Sequence, residues 1–131
     1  MSNRCILIIS DTHCPYHHED LIPFLTAIKK KYKPDRVVHI GDETDKHGLN
    51  FHGQDPDLPS AGDELYEARK TIHAIEKLWS KVDVLHSNHG SLAYRRAFKA
   101  GLPKAYMRDY NEVLEVGKGW KWHNELSIKL P

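Results

Sequence analysis

Side chains able to do chemistry cluster at three places in this chain: Asp11-Thr12-His13, Gly41-Asp42-Glu43-Thr44-Asp45 and Ser87-Asn88-His89-Gly90. Together Asp, His and Asn offer hard oxygen and borderline nitrogen donors without a thiolate cage. Such a donor set suits manganese, iron or zinc at an open catalytic site. Asp11 and His13 alternate by two, so a strand-like exit would turn both to the same side as a chelating pair.

Three short apolar runs must position these clusters. Cys5 to Ile9, Val37 to Ile40 and Val82 to Leu85 are rich in Ile and Val, each ends where a cluster begins, and each is followed by helical periodicity. In an open α/β sheet, ligands bind just beyond the carboxyl ends of parallel strands, so the three clusters converge on one crevice.

The connecting segments fit that plan. A helix is expected from about Glu19 to Tyr32, with Leu21, Leu25, Ile28 and Tyr32 on one stripe and a basic last turn of Lys29 to Lys31 that offsets the helix dipole. Gly41 to Pro59 forms a long loop, and Ser60 with Asp63 reads as the cap of a second helix carrying Leu65, Ala68, Ile72, Ile75 and Trp79 toward the core. A third helical segment bears Arg95, Arg96 and Lys99 among Leu92, Ala93, Ala97 and Phe98. Glu112 to Val116 and Trp120 to Leu130, separated by Gly117-Lys118-Gly119, read as a β-hairpin. The fold class expected is α/β: a parallel βαβαβ sheet plus a C-terminal hairpin, as one domain over residues 1–131.

Composition narrows little further. Lys plus Arg total 19 against 18 for Asp plus Glu, so no global basic field recruits nucleic acid. Two cysteines make no disulfide framework, and a reducing cytoplasm is the expected setting. No apolar stretch approaches the ~20 residues that span a bilayer.

The wording Ser10-Asp11-Thr12-His13, Gly41-Asp42-Glu43-Thr44-Asp45-Lys46-His47 and His86-Ser87-Asn88-His89-Gly90 resembles the calcineurin-like metallophosphoesterase superfamily, most of all the small phosphoesterases of phage and bacterial genomes. In that family the third motif usually reads Gly-Asn-His followed by Asp or Glu, whereas Ser87 and Gly90 flank the pair here. The resemblance implies a fold of two stacked sheets flanked by helices, of which the hairpin would begin the second. It implies a hydrolase cleaving a phosphodiester or nucleotide, as a nuclease or phosphodiesterase does, with hydroxide held by metal as nucleophile. Asp11, His13, Asp42 and Asn88 would be metal ligands, with Asp42 bridging two cations. His89, with Asp45 behind it, would serve the leaving oxygen, and Arg95 and Arg96 would contact substrate.

Manganese is the cation expected first, with iron or zinc as alternatives. The family's later histidine and Gly-His-x-His ligands have no counterpart before Pro131. His47, His52, His86 and His123 are the candidates to replace them. Low activity, about one tightly held metal per chain, and self-association or a complementing C-terminal segment are therefore expected. The competing expectation is a non-catalytic module that binds phosphate, nucleic acid or protein on a degenerate phosphoesterase scaffold.

Overall fold

The computed structural model describes residues 5–51, 53 and 55–130. Strands β1 (Ile6–Ile9), β2 (Arg36–His39), β3 (Val82–Leu85) and β4 (Trp120–His123) form one sheet in that order. Every neighbouring pair is parallel. Helices α1 (Leu21–Tyr32), α2 (Ala61–Leu78), α3 (Leu92–Lys99) and α4 (Tyr110–Leu114) lie in the connections.

Right-handed crossovers between strands added in one direction put their helices on one face of the sheet. There Leu25 of α1, Ile72 and Ile75 of α2 and Leu114 of α4 join Ile9, Val37, Val84 and Trp120 in one buried cluster. The Ser60 hydroxyl accepts the Asp63 N–H at 3.3 Å and starts α2, as the capping pattern requires. Lys33, in the left-handed region, ends α1 ahead of Pro34.

The other face of the sheet differs in chemistry. Ile8 is 63% and Ile40 48% exposed, and among the described residues no second layer covers them. Beside them runs a polar ladder across three strands. Arg36 Nε donates to Asp83 Oδ2 at 3.0 Å, and His123 Nε2 meets Asp83 Oδ1 at 2.7 Å.

The α/β class and the parallel order of the first three strands are as expected, whereas the C-terminal hairpin is not formed. Glu112 to Val116 does not extend: the Asp109 carboxylate accepts the Glu112 N–H at 2.9 Å and nucleates α4 instead. With α3 and α4 between them, β3 and β4 are joined by a full crossover, so β4 enters parallel. Gly119 makes that entry feasible, because a Cβ there would lie 2.2 Å from the Ser80 carbonyl oxygen. The strand expected to run to Leu130 stops at His123, where its pairing with Leu85 ends. No helix among the described residues is long and apolar enough to cross a membrane.

Candidate metal centre

The three polar clusters lie beyond the carboxyl ends of β1, β2 and β3, and the backbone knits the first two together. Asp11 N–H donates to the Gly41 carbonyl at 3.2 Å, His13 N–H to that of Asp42 at 2.9 Å, and Cys14 N–H to that of Glu43 at 3.0 Å. Underneath sits His39, fully buried. Its Nδ1 accepts the Gly41 N–H at 3.2 Å, so Nε2 carries the proton and donates to Thr12 Oγ1 at 3.1 Å. That hydroxyl donates in turn to the Glu43 carbonyl at 3.0 Å. Burial pushes the His39 pKa down to about 4, and the neutral ring is the form this relay needs.

A single hydroxyl ties the second cluster to the third. Ser87 Oγ accepts the N–H of Asp42 at 2.8 Å and that of Gly90 at 3.2 Å. The approach is so close that a Cβ on Gly41, whose φ is +112°, would stand 2.6 Å from Ser87 Cβ. Lys46 adds a second tie, donating from Nζ to the Gly90 carbonyl at 2.5 Å. Neither tie was foreseen from sequence, although the Ser87 departure from the usual motif was the available signal.

Asp11, His13, Asp42 and Lys46 all take left-handed backbone, with φ of 50°, 45°, 54° and 53°. The chain therefore does not leave β1 as a strand, and the alternation expected to align Asp11 with His13 does not operate. The turn itself brings them together instead, with His13 Nε2 3.6 Å from Asp11 Oδ1 and 3.8 Å from Asp42 Oδ2. Sparsely populated backbone of this kind concentrates where a functional geometry is held in place by its surroundings.

His13, Asp42 and His89 each offer a ligand atom within 4.8 Å of the others. Both rings are braced from behind. Asp45 Oδ1 meets His13 Nδ1 at 2.9 Å, and the Asp45 main-chain carbonyl meets His89 Nδ1 at 2.7 Å. Each brace places the proton on Nδ1 and leaves Nε2 as the free lone pair. This is the arrangement that orients histidines toward a metal. The two rings pack edge to face at 4.7 Å, and the His89 N–H donates to Asp42 Oδ1 at 3.2 Å. By donor chemistry and spacing the residues fit a divalent cation of the manganese, iron or zinc kind.

The expected pairing of the Asp45 carboxylate with His89 is the longer of its two contacts, at 3.8 Å. Its closer partner is His13. Asn88 lies at the surface, lining a hollow of about 290 Å³ with Phe51, His89 and Arg95. Arg95 Nη2 donates to the Asn88 carbonyl at 2.6 Å. Arg96 faces the preceding loop, with Nε on the Leu49 carbonyl at 2.9 Å and Nη2 on that of Asn50 at 3.1 Å. It pins the loop that carries Phe51.

The candidate replacement histidines are spread out. His47 Nε2 accepts the Asp55 N–H at 3.0 Å, His86 packs 5.2 Å from the Tyr110 ring, and His123 belongs to the ladder on the exposed sheet face. His52 lies outside the described residues. Cys14 is fully buried and burial pushes its thiol up to about 12, which makes it an inert core group. Glu43 is buried beside the site with, among the described residues, no hydrogen-bond partner on either carboxylate oxygen. Burial raises its pKa, against the opposing charge of Lys46.

The family model for calcineurin-like phosphoesterases matches residues 6–124. No curated protein and no solved structure matches the chain.

Proposed function

The chain belongs to the calcineurin-like phosphoesterase family, and on that premise we propose that it is a metal-dependent hydrolase of a phosphodiester or a nucleotide, with manganese as the favoured cation. The observation that carries this reading is the convergence of His13, Asp42 and His89 at the carboxyl edge of a parallel sheet, with both rings braced by Asp45. His13 and Asp42 would hold the cation, with Asp11 and Asn88 at its rim. When bound, the cation supplies Lewis acidity toward the phosphoryl oxygens and toward water.

The chain's own residues do the rest. Asp45 fixes the His13 ring, and the Ser87 hydroxyl holds the Asp42 turn against β3. His89 lines the hollow that Asn88, Phe51 and Arg95 share, so its Nε2, once it has taken up a proton to give the doubly protonated ring, is assigned to pass that proton to the leaving oxygen. The Asp45 carbonyl on Nδ1 keeps the ring in the tautomer that can receive and return that proton. Arg95, on the rim of the same hollow, suits a phosphate oxygen.

Hydrolysis of bis-nitrophenyl phosphate and of a nitrophenyl monoester, each with manganese, tests the activity and separates diester from monoester preference. His89→Ala should lower turnover of an alkyl ester by ~10²–10⁴-fold, cost less on nitrophenyl esters, and leave the metal content near that of the parent. A variant stripped of metal would make His89 a ligand instead. A second reading has its own support, since His47, His86 and His123 are committed elsewhere and add no donor to the group. That reading is a non-catalytic phosphate-binding module, and retained phosphate binding with no turnover of any ester would establish it.

A further inference from the structure

Next to the hollow lies a larger groove of about 710 Å³, bounded by α3, the 104–106 turn and the ends of β3 and β4. Tyr94, Phe98 and Tyr110 supply its aromatic wall, and Arg95, Lys99 and Lys104 its cationic rim. None of the described residues lining it is acidic, in a chain whose formal net charge is only +1. Arg95 lines both cavities, so the groove adjoins the site where a phosphate would be presented.

Packing accounts for the two tyrosines of this wall but not for Phe98. Helix α3 buries Leu92 and Ala97, whereas Phe98 is 80% exposed and faces the groove. The tyrosines are ordered in advance: Tyr110 stacks on Trp122 with centroids 5.3 Å apart and meets Tyr94 edge to face at 4.8 Å. Cations sit on aromatic faces around it, with Lys104 Nζ 5.7 Å from the Tyr94 centroid and Lys99 Nζ 5.1 Å from that of Phe51. Burial, reinforced by Tyr94 and Glu43, pushes the Tyr110 phenol up to about 12, so it is a neutral hydroxyl at physiological pH. A π-wall with an anion-attracting rim is the combination by which proteins hold unpaired bases and their phosphates.

We propose that this groove is a nucleoside subsite, taking the base next to the phosphate presented at the hollow, so that the substrate is a nucleotide or a single-stranded nucleic acid. The proposal rests on the phosphoesterase reading for its phosphate and on the groove alone for its base. A duplex would not serve, because its bases are already stacked and paired.

Binding is measurable without catalysis, by fluorescence anisotropy of a labelled ten-residue oligothymidylate with the full chain in EDTA. Phe98→Ala, at an exposed position, should weaken binding by about 5–100-fold. Lys104→Ala should make the dependence of log affinity on log salt shallower by ~0.7. Thymidine monophosphate as competitor separates the two sources. Displacement at comparable concentration identifies the mononucleotide, and retention of the oligomer identifies the strand; either supports the subsite. Wild-type affinity in both variants, or no binding of either probe by the parent, overturns it. Hydrolysis of the nitrophenyl diester by the parent chain is scored separately. A chain that hydrolyses it without binding either probe therefore refutes only the groove, and one that binds without hydrolysing refutes only the catalytic reading.

Discussion

Removing the brace behind His13 should weaken metal binding in two graded steps. The Asp45 carboxylate is 18% exposed and lies 2.9 Å from His13 Nδ1, so it acts as a charged acceptor in a sheltered place. Asp45→Asn keeps an oxygen acceptor and gives up the charge. A hydrogen bond to a charged group is worth ~1.5–3 kcal/mol against ~0.5–1.5 for a neutral one, and the difference of ~1–1.5 kcal/mol corresponds to roughly tenfold in affinity. Asp45→Ala loses the acceptor as well and frees the ring, which should reach about 100-fold, the upper end for partners of metal-bound histidines. Both substitutions leave the main-chain carbonyl that braces His89, so the loss reports chiefly on His13, the nearer of the two rings the carboxylate faces. Asp42→Asn, at a direct donor, should cost more than either. Calorimetric titration with manganese measures the series, with Asp20→Asn as control because the Asp20 carboxylate is exposed and lies 3.8 Å from the equally exposed His18. Manganese affinity unchanged in Asp45→Ala would refute the chain of reasoning from the 2.9 Å contact to the metal.

Gly41→Ala should destabilise the fold by about 2–4 kcal/mol, from backbone strain and the lost bond between the Asp42 N–H and Ser87; urea denaturation reads it directly. Stability should also fall on acidification through His39. Between the ordinary pKa of ~6.5 and the folded value of about 4, the unfolded chain binds a proton that the folded chain refuses, so up to ~3 kcal/mol is lost as pH drops through that window. His17 and His86, also lowered by burial, act in the same direction, and Glu43, raised by burial, acts against it. Denaturation midpoints from pH 7 to pH 4 in EDTA, compared with His39→Gln, should show the variant with the flatter profile.

The three strand ends were legible because short runs dominated by Ile, Val and Leu, such as Ile6–Ile9 and Val82–Leu85, each lead into a polar cluster and then a helical segment. The order of chemistry along the chain then gave the crevice. What could not be read was rotation. Spacing rules presume regular backbone, and at Asp11, His13, Asp42 and Lys46 the left-handed turns redirect side chains, which is how Asp45 comes to face His13 before His89. The hairpin was misread for a related reason. Val113, Leu114 and Val116 before Gly117-Lys118-Gly119 mimic a strand and its turn, while the deciding signal was the Asp109 carboxylate cap on Glu112. Arg95 was visible in the sequence as a basic residue after the motif, but the wall beside it joins Tyr94 to Tyr110 through packing on Trp122, which only the folded chain assembles.

Residues 13, 42 and 89 meet only when β1, β2 and β3 stand side by side, and the unfolded chain offers no comparable group of donors. A cation held by the first two, His13 and Asp42, would therefore be bound by the folded population alone, and its free concentration would enter the folding equilibrium as a mass-action term. At a hundred times the dissociation constant that term is ~2.7 kcal/mol, a sizeable fraction of the ~5–15 kcal/mol that keeps an ordinary domain folded. Cation supply would then govern how long the chain survives proteases as well as how fast it turns over substrate, and a chelator would shorten its lifetime even in a cell that contains none of its substrate.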